Sequence, residues 1–130
     1  MEKNATIFVA GHKGLVGSAI VRKLKEQGYN NIITATRQQC DLTDSTQVKL
    51  FFMQNDIDYV FDAAAKVGGI KANDTYSAEF IYENTMIQTN LIHYAYKYFV
   101  KKFCFLGSVC IYPKYAPTPC LLYTSPSPRD

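Results

Sequence analysis

Residues 6–17 read TIFVAGHKGLVG: a short apolar run that passes through Gly11, Gly14 and Gly17, at three-residue spacing, into a helical pattern. A strand that ends in closely spaced glycines and runs into a helix brings backbone N–H groups up to a pyrophosphate. Each glycine has its own expected task. Gly11 allows the tight turn off the strand, Gly14 the close approach of the diphosphate, and Gly17 the packing of helix on strand. His12, Lys13, Leu15 and Val16 complete this candidate cofactor turn. A phosphate-binding P-loop is excluded, because no Gly-Lys-Ser/Thr closes the turn.

The segments on either side supply the context that such a turn needs. Residues 6–10 read as a buried strand. Residues 15–27 carry Leu15, Val16, Ala19, Ile20 and Leu24 at helical spacing, with Lys and Arg on the other face, and stop at Gly28. Residues 32–36 read as a second strand, which completes a β-α-β unit. The spacing G-x-x-G-x-x-G, in place of G-x-G-x-x-G, points to the short-chain and extended dehydrogenase branch of the dinucleotide-binding folds. Just past the second strand an acidic residue would accept hydrogen bonds from an adenosine ribose hydroxyl. Arg37 stands there instead. Its guanidinium can hold a 2′-phosphate through charge-assisted hydrogen bonds, with Lys13 as a second positive charge, so the expected cofactor is NADP and not NAD.

Further along, residues 40–44 read CDLTD, in which Asp44 or Thr43 can cap a helix over residues 45–54. Residues 59–63 read as a third strand, and Ala63, Ala64 and Ala65 at its carboxyl end leave room for a cofactor in the crevice outside the strand ends. A long helix over residues 78–99 and a strand over residues 103–106 follow. The expected fold is therefore α/β: the N-terminal half of a Rossmann-type, doubly wound parallel sheet, with right-handed crossovers and strand order 3-2-1-4.

Composition narrows the function classes. The chain has 130 residues, 48% of them hydrophobic and 19% charged, the balance of an ordinary globular domain. A net charge of +3 without clusters speaks against nucleic acid or an anionic membrane as partner. Cys40, Cys104, Cys110 and Cys120 show neither C-x-x-C pairing nor metal-ligand spacing, and no signal-peptide pattern opens the chain. A reduced, cytoplasmic protein without a metal is expected.

Three longer stretches are more specific. They are AGHKGLVGSAIV at the front, AAAKVGGIKAN over residues 63–73, and LGSVCIYPK over residues 106–114. Together they resemble the GDP-L-fucose synthase family, epimerase-reductases of the extended short-chain dehydrogenases within the NAD-dependent epimerase/dehydratases. The resemblance implies 3,5-epimerisation of GDP-4-keto-6-deoxy-D-mannose followed by reduction at C4 with NADPH, by a homodimeric native enzyme. It makes Ser108 the serine that hydrogen-bonds the C4 oxygen and Cys110 the epimerisation base, which needs thiolate character. It places Asp41 and Leu42 at the adenine, and Leu106, Gly107, Ser108 and Val109 beside the nicotinamide half. Lys66 and the loop to Asn73 lie where substrate and nicotinamide are approached. Val109 departs from the family, where a second serine is usual. His93 and Cys104 are read as structural, and His12 as part of the cofactor turn.

The same family needs a Tyr-x-x-x-Lys pair one helical turn apart and a later histidine. Tyr98 and Lys102 have that spacing, but the pair precedes Ser108 and straddles the expected end of a helix, so it is set aside. Residues 120–130, CLLYTSPSPRD, read codon for codon as an in-frame translation of a transposase sequencing adapter. The expected organisation is a partial NADP-binding domain over residues 1–119, an adapter-derived tail over residues 120–130, and no substrate domain, hence an inactive fragment.

Overall fold

β1 (Thr6–Ala10) runs through the middle of the sheet and is buried on both faces. Ile7 and Val9 face α1 (Leu15–Glu26), where Leu24 and the partly buried Ile20 and Val21 cover them. Phe8 and Ala10 face the opposite layer, made by α2 (Ser45–Gln54) and α3 (Ile70–Lys97). There Val48, Phe52, Ile87 and Leu91 close over Phe8, whose ring lies 4.7 Å from Phe51 and 6.2 Å from Phe52. A parallel strand covered by helices on both sides has no polar face, which is why TIFVA reads as an unbroken apolar run. The computed structural model describes residues 1–64 and 70–106, with backbone alone for residues 70–77 and 80. Among the described residues no helix is long and apolar enough to cross a membrane.

β2 (Asn31–Ile33), β3 (Tyr59–Asp62) and β4 (Lys102–Phe105) complete a parallel sheet of order β2-β1-β3-β4. The α/β, Rossmann-type reading holds, but the expected order 3-2-1-4 is wrong. β3 pairs with β1, Phe8 against Val60 and Ala10 against Asp62, instead of lying outside β2. Burial decides this. β2 has three residues, none of them buried, so it suits an edge, whereas Val60 and Asp62 are buried and need neighbours on both sides. The pairing is also tied at its start, where the Thr6 N–H donates to Asp58 Oδ2 at 3.0 Å and the Asp58 N–H to the Thr6 carbonyl at 2.9 Å.

Element ends differ from the sequence expectation where side chains capture the backbone. β2 stops at Ile33, short of residue 36, because the chain enters a turn in which Gln39 Oε1 accepts from the Thr36 N–H at 2.8 Å and the Cys40 N–H donates to the Thr36 carbonyl. α3 begins at Ile70 instead of residue 78. It stops at Lys97 because Phe99 turns left-handed, at φ +62°, and the Val100 N–H closes on the Ala95 carbonyl at 2.9 Å. Gly28 ends α1 the same way, at φ +94° with Tyr29 N–H on the Leu24 carbonyl, as its position predicts. Tyr98 lies in the turn after α3 and Lys102 opens β4, so the two do not share a helix.

Asp44 caps α2, with Oδ1 accepting from the Thr46 and Gln47 N–H groups at 3.0 and 3.4 Å. Gln47 Nε2 donates back to Oδ2 at 3.1 Å, while its Oε1 accepts from the Asp41 N–H at 2.9 Å. Replacing Asp44 with alanine is expected to cost about 1 kcal/mol, read as a lower urea midpoint with an unchanged slope, and Asp44→Ser to recover most of it.

Candidate functional site

The chain leaves β1 toward β2 on one side and returns to β3 on the other, so a crevice opens beyond the carboxyl ends of these strands. Gly11, at φ +81°, forms its floor on the β1 side. A Cβ there would stand 2.5 Å from the Ala63 carbonyl oxygen and 2.8 Å from Ala64 Cα, so the glycine turn and the chain leaving β3 touch backbone to backbone. The Ala63 N–H donates to the Ala10 carbonyl at 3.0 Å and holds that contact. At Gly17 a Cβ would overlap the Gly11 carbonyl oxygen. Gly17 therefore packs α1 against the turn that leaves β1.

Gly14 is the N-cap of α1, with its own N–H on the Gly11 carbonyl at 3.1 Å. It provides no side-chain cap, in contrast to Asp44 at the start of α2, and the first turn of α1 holds no acidic residue. A Cβ at Gly14 would meet only the Gly11 carbonyl oxygen, at 3.5 Å. The glycine is thus not needed for packing, and what it keeps clear is the approach to the positive end of the helix.

Beside this turn lies a cleft of about 210 Å³. That is below the roughly 300–1,000 Å³ of complete ligand pockets and suits one end of an extended ligand. The sequence reading named five of its lining residues: Gly11, Arg37, Asp41, Leu42 and Ala64. It missed Cys40 and Thr43, which flank Asp41 and Leu42, and Glu83 and Ile87, which stand four residues apart on α3. That spacing is visible in the chain, but only tertiary packing shows that it faces the cleft.

Asp41 shapes the rim. Its Oδ1 accepts from the Thr43 N–H at 3.0 Å and the Thr43 hydroxyl at 2.7 Å, and its Oδ2 lies 3.9 Å from Arg37 Nε. An ion pair this long, with the Arg37 side chain 63% exposed, contributes at most about 1 kcal/mol and leaves the guanidinium able to turn to an incoming anion. Lys13, Leu15 and Val16 are exposed on the turn and do not line the cleft; His12 is half-buried. Leu106 continues the ladder past β4, its N–H on the Asp62 carbonyl at 3.0 Å. Ala65, Lys66, Gly107, Ser108, Val109 and Cys110 lie outside the described residues.

α3 braces both walls. Asn90, buried, donates from Nδ2 to the Leu42 carbonyl at 2.8 Å, and Gln88 donates from Nε2 to the Ala64 carbonyl at 2.8 Å. Cys40 is buried behind the rim, where burial, then the Asp41 and Asp44 carboxylates, push its thiol up to about 11; it is a packed thiol and no nucleophile. Asp62 is 1% exposed, and burial pushes its carboxyl up to about 7 against the opposing hydrogen bond from the Ala64 N–H. Its signal in the sequence is an acidic residue at the end of the apolar run YVFD.

The chain spans about a third of the relatives it matches. GDP-L-fucose synthase 1 of Arabidopsis thaliana is 61% identical over 118 residues, 91% of this chain and 36% of the relative. GDP-L-fucose synthase of Escherichia coli is 53% identical over 87% of this chain and 35% of its own length. Among solved structures, MlghC, a GDP-mannoheptose C4 reductase from Campylobacter jejuni with NADP bound, superposes with a TM-score of 0.83 at 44% identity, covering 92% of this chain and 35% of that one. A family model matches residues 7–129, from the first residues of β1 through both walls of the cleft. With the glycine turn, the crevice at β1 and β3 and this match in agreement, the chain belongs to the NAD dependent epimerase/dehydratase family.

Proposed function

We propose that this chain is the NADP-binding part of a GDP-L-fucose synthase. The whole enzyme carries out NADPH-dependent 3,5-epimerisation and 4-reduction of GDP-4-keto-6-deoxy-D-mannose. The observation that carries the cofactor half is the juxtaposition of the open, uncapped start of α1 with Arg37 on the rim of the adjoining cleft. The residues present suit a dinucleotide carrying a 2′-phosphate. Gly14 leaves the helix end accessible to a diphosphate, Arg37 offers a guanidinium, and Gly11 and Ala64 keep the floor free of bulky side chains. NADPH, when bound, supplies the hydride for C4. The substrate half rests on the named relatives and on residues 106–114: Ser108 is assigned to hold the C4 oxygen as charge develops, and Cys110 to take the proton in epimerisation.

In this reading residues 1–119 are the partial cofactor domain, residues 120–130 derive from an adapter, and the sugar-binding part lies in the two thirds of the relatives that this chain does not span. The whole enzyme is taken to be a cytoplasmic homodimer. A second reading, a reductase of another GDP-4-keto sugar, is favoured by the 44% identity to the GDP-mannoheptose C4 reductase. Product analysis with GDP-4-keto-6-deoxymannose on the whole enzyme separates the two. For the cofactor, the chain is expected to bind NADPH more tightly than NADH. Arg37→Ala is expected to lower that preference by roughly 10- to 150-fold, the loss of charge-assisted hydrogen bonds worth about 1.5–3 kcal/mol. An unchanged ratio in fluorescence titrations overturns the assignment of Arg37.

A further inference from the structure

At the end of β3 two side chains hold one residue, Ala64, by its N–H and by its carbonyl. Asp62 Oδ1 accepts from the Ala64 N–H at 3.1 Å, and Gln88 Nε2 donates to the Ala64 carbonyl at 2.8 Å. The remaining oxygens, Asp62 Oδ2 and Gln88 Oε1, are both buried and have no hydrogen-bond partner among the described residues. The Gln88 amide cannot relieve this by flipping, because the Ala64 carbonyl needs its N–H group. Orphan acceptors in an apolar site are costly, and a proton shared between the two would satisfy both.

We propose that Asp62 is a positioning residue. Its carboxyl is neutral and donates from Oδ2 to Gln88 Oε1, and this closed ring of Asp62, Ala64 and Gln88 holds the end of β3 against Gly11 and locks α3 to the crevice floor. The surroundings favour the neutral form. Asp62 points to the same face as Val60, toward the α2 and α3 layer. On that face β1 brings Phe8 and Ala10, β4 brings Phe103 and Phe105, and α2 brings Val48 and Phe52, none of them titratable. Lys102 and Cys104 of β4 point to the opposite face. α3 brings Glu83, and the segment before α2 brings Cys40, Asp41 and Arg37, all on the cleft side. Among the described residues no cation is placed to hold a carboxylate at Asp62, and its shift comes from burial, against the opposing hydrogen bond from Ala64.

Above the pH at which the proton leaves, the ring opens and Ala64 loses its brace. With the carboxyl titrating at about 7, one tenth of the molecules keep the ring at pH 8, so NADP affinity falls about tenfold between pH 6 and pH 8. Asp62→Asn retains the acceptor for Ala64 and donates to Gln88 at every pH. The ratio of wild-type to Asp62→Asn dissociation constants, which cancels the titration of the nucleotide, is therefore expected to rise about tenfold over that range. This readout rests on the cofactor assignment above; a second one does not. The infrared C=O band of a protonated carboxyl, identified by its absence in Asp62→Asn, is expected at pH 6, to fade above pH 8, and to move in Gln88→Met. A flat ratio in a protein that binds NADP, a missing band, or a band that Gln88→Met leaves in place overturns the ring. Failure of the wild-type chain to bind NADP overturns the cofactor assignment instead, and the band still decides the ring.

Discussion

Gly17→Ala is expected to cost about 3 kcal/mol or more of stability and to abolish measurable NADP binding. The added methyl meets the carbonyl carbon and oxygen of Gly11 and stands 3.1 Å from His12 Cα, all backbone atoms that no rotamer change can move aside. Overpacking a site lined by flexible side chains costs roughly 1–3 kcal/mol; against fixed backbone the penalty lies at or beyond the upper end. α1 must lift off the turn, and with it the helix end that faces the crevice. The control is the same chemical change three residues earlier. At Gly14 the methyl makes ordinary contact with the Gly11 carbonyl at 3.5 Å, so the thermal midpoint should fall only slightly, by the modest cost of alanine in place of glycine at an N-cap. Yet that methyl occupies the approach to the start of α1, so Gly14→Ala should weaken NADP binding in a fully folded protein. Isothermal titration and thermal melts of both variants separate the two roles. Normal NADP affinity in Gly14→Ala would falsify the close approach assigned there, and a wild-type melt for Gly17→Ala would show that α1 and the turn are not in contact.

The second large effect is a dependence of stability on pH. The folded chain keeps the Asp62 proton up to about pH 7, whereas an unfolded chain releases it at the ordinary value of 3.8. Between these values the folded state binds more protons than the unfolded one, so stability falls as pH rises. The contribution is present in full below about pH 4 and gone above about pH 7, a difference on the order of 4 kcal/mol. Asp62→Asn has no such titration. The gap between its unfolding free energy and that of the wild type should therefore widen in favour of the variant as pH rises from 4 to 8, in urea titrations at each pH. Parallel profiles for the two proteins would mean that Asp62 is ionised in the folded state.

How far the sequence carries can be seen residue by residue. The glycine turn, the caps at Asp44 and Gly28, and the β1-α1-β2 unit were legible because each rests on neighbours within a few positions: a left-handed φ, an N–H two or three residues on, a helical repeat. Arg37 was assigned from its place after the second strand, Ala64 from the carboxyl end of the third, and Asp41 and Leu42 from the family resemblance, and all four line one cleft. Glu83, Ile87, Gln88 and Asn90 were not, since their roles depend on where α3 lies relative to loops more than twenty residues away in sequence. Asp62 went unread for the same reason: an acidic residue in a short strand says nothing about its surroundings until the layers above and beside it are in place.

By itself, then, the sequence determined the parallel α/β class, the cofactor turn with its three glycines and the cation that follows β2. It could do so because these depend on steric freedom, local hydrogen bonding and periodicity along the chain. The tertiary structure alone decided that β3 lies against β1 and not outside β2, that Gly17 packs on the turn, and that α3 holds both walls of the crevice. It also brought a buried acid and Gln88 to the same residue, Ala64. Strand order and the partners of a buried polar group are settled by which faces are covered, and that is a property of the assembled layers, with no signature in the spacing of residues along any one of them.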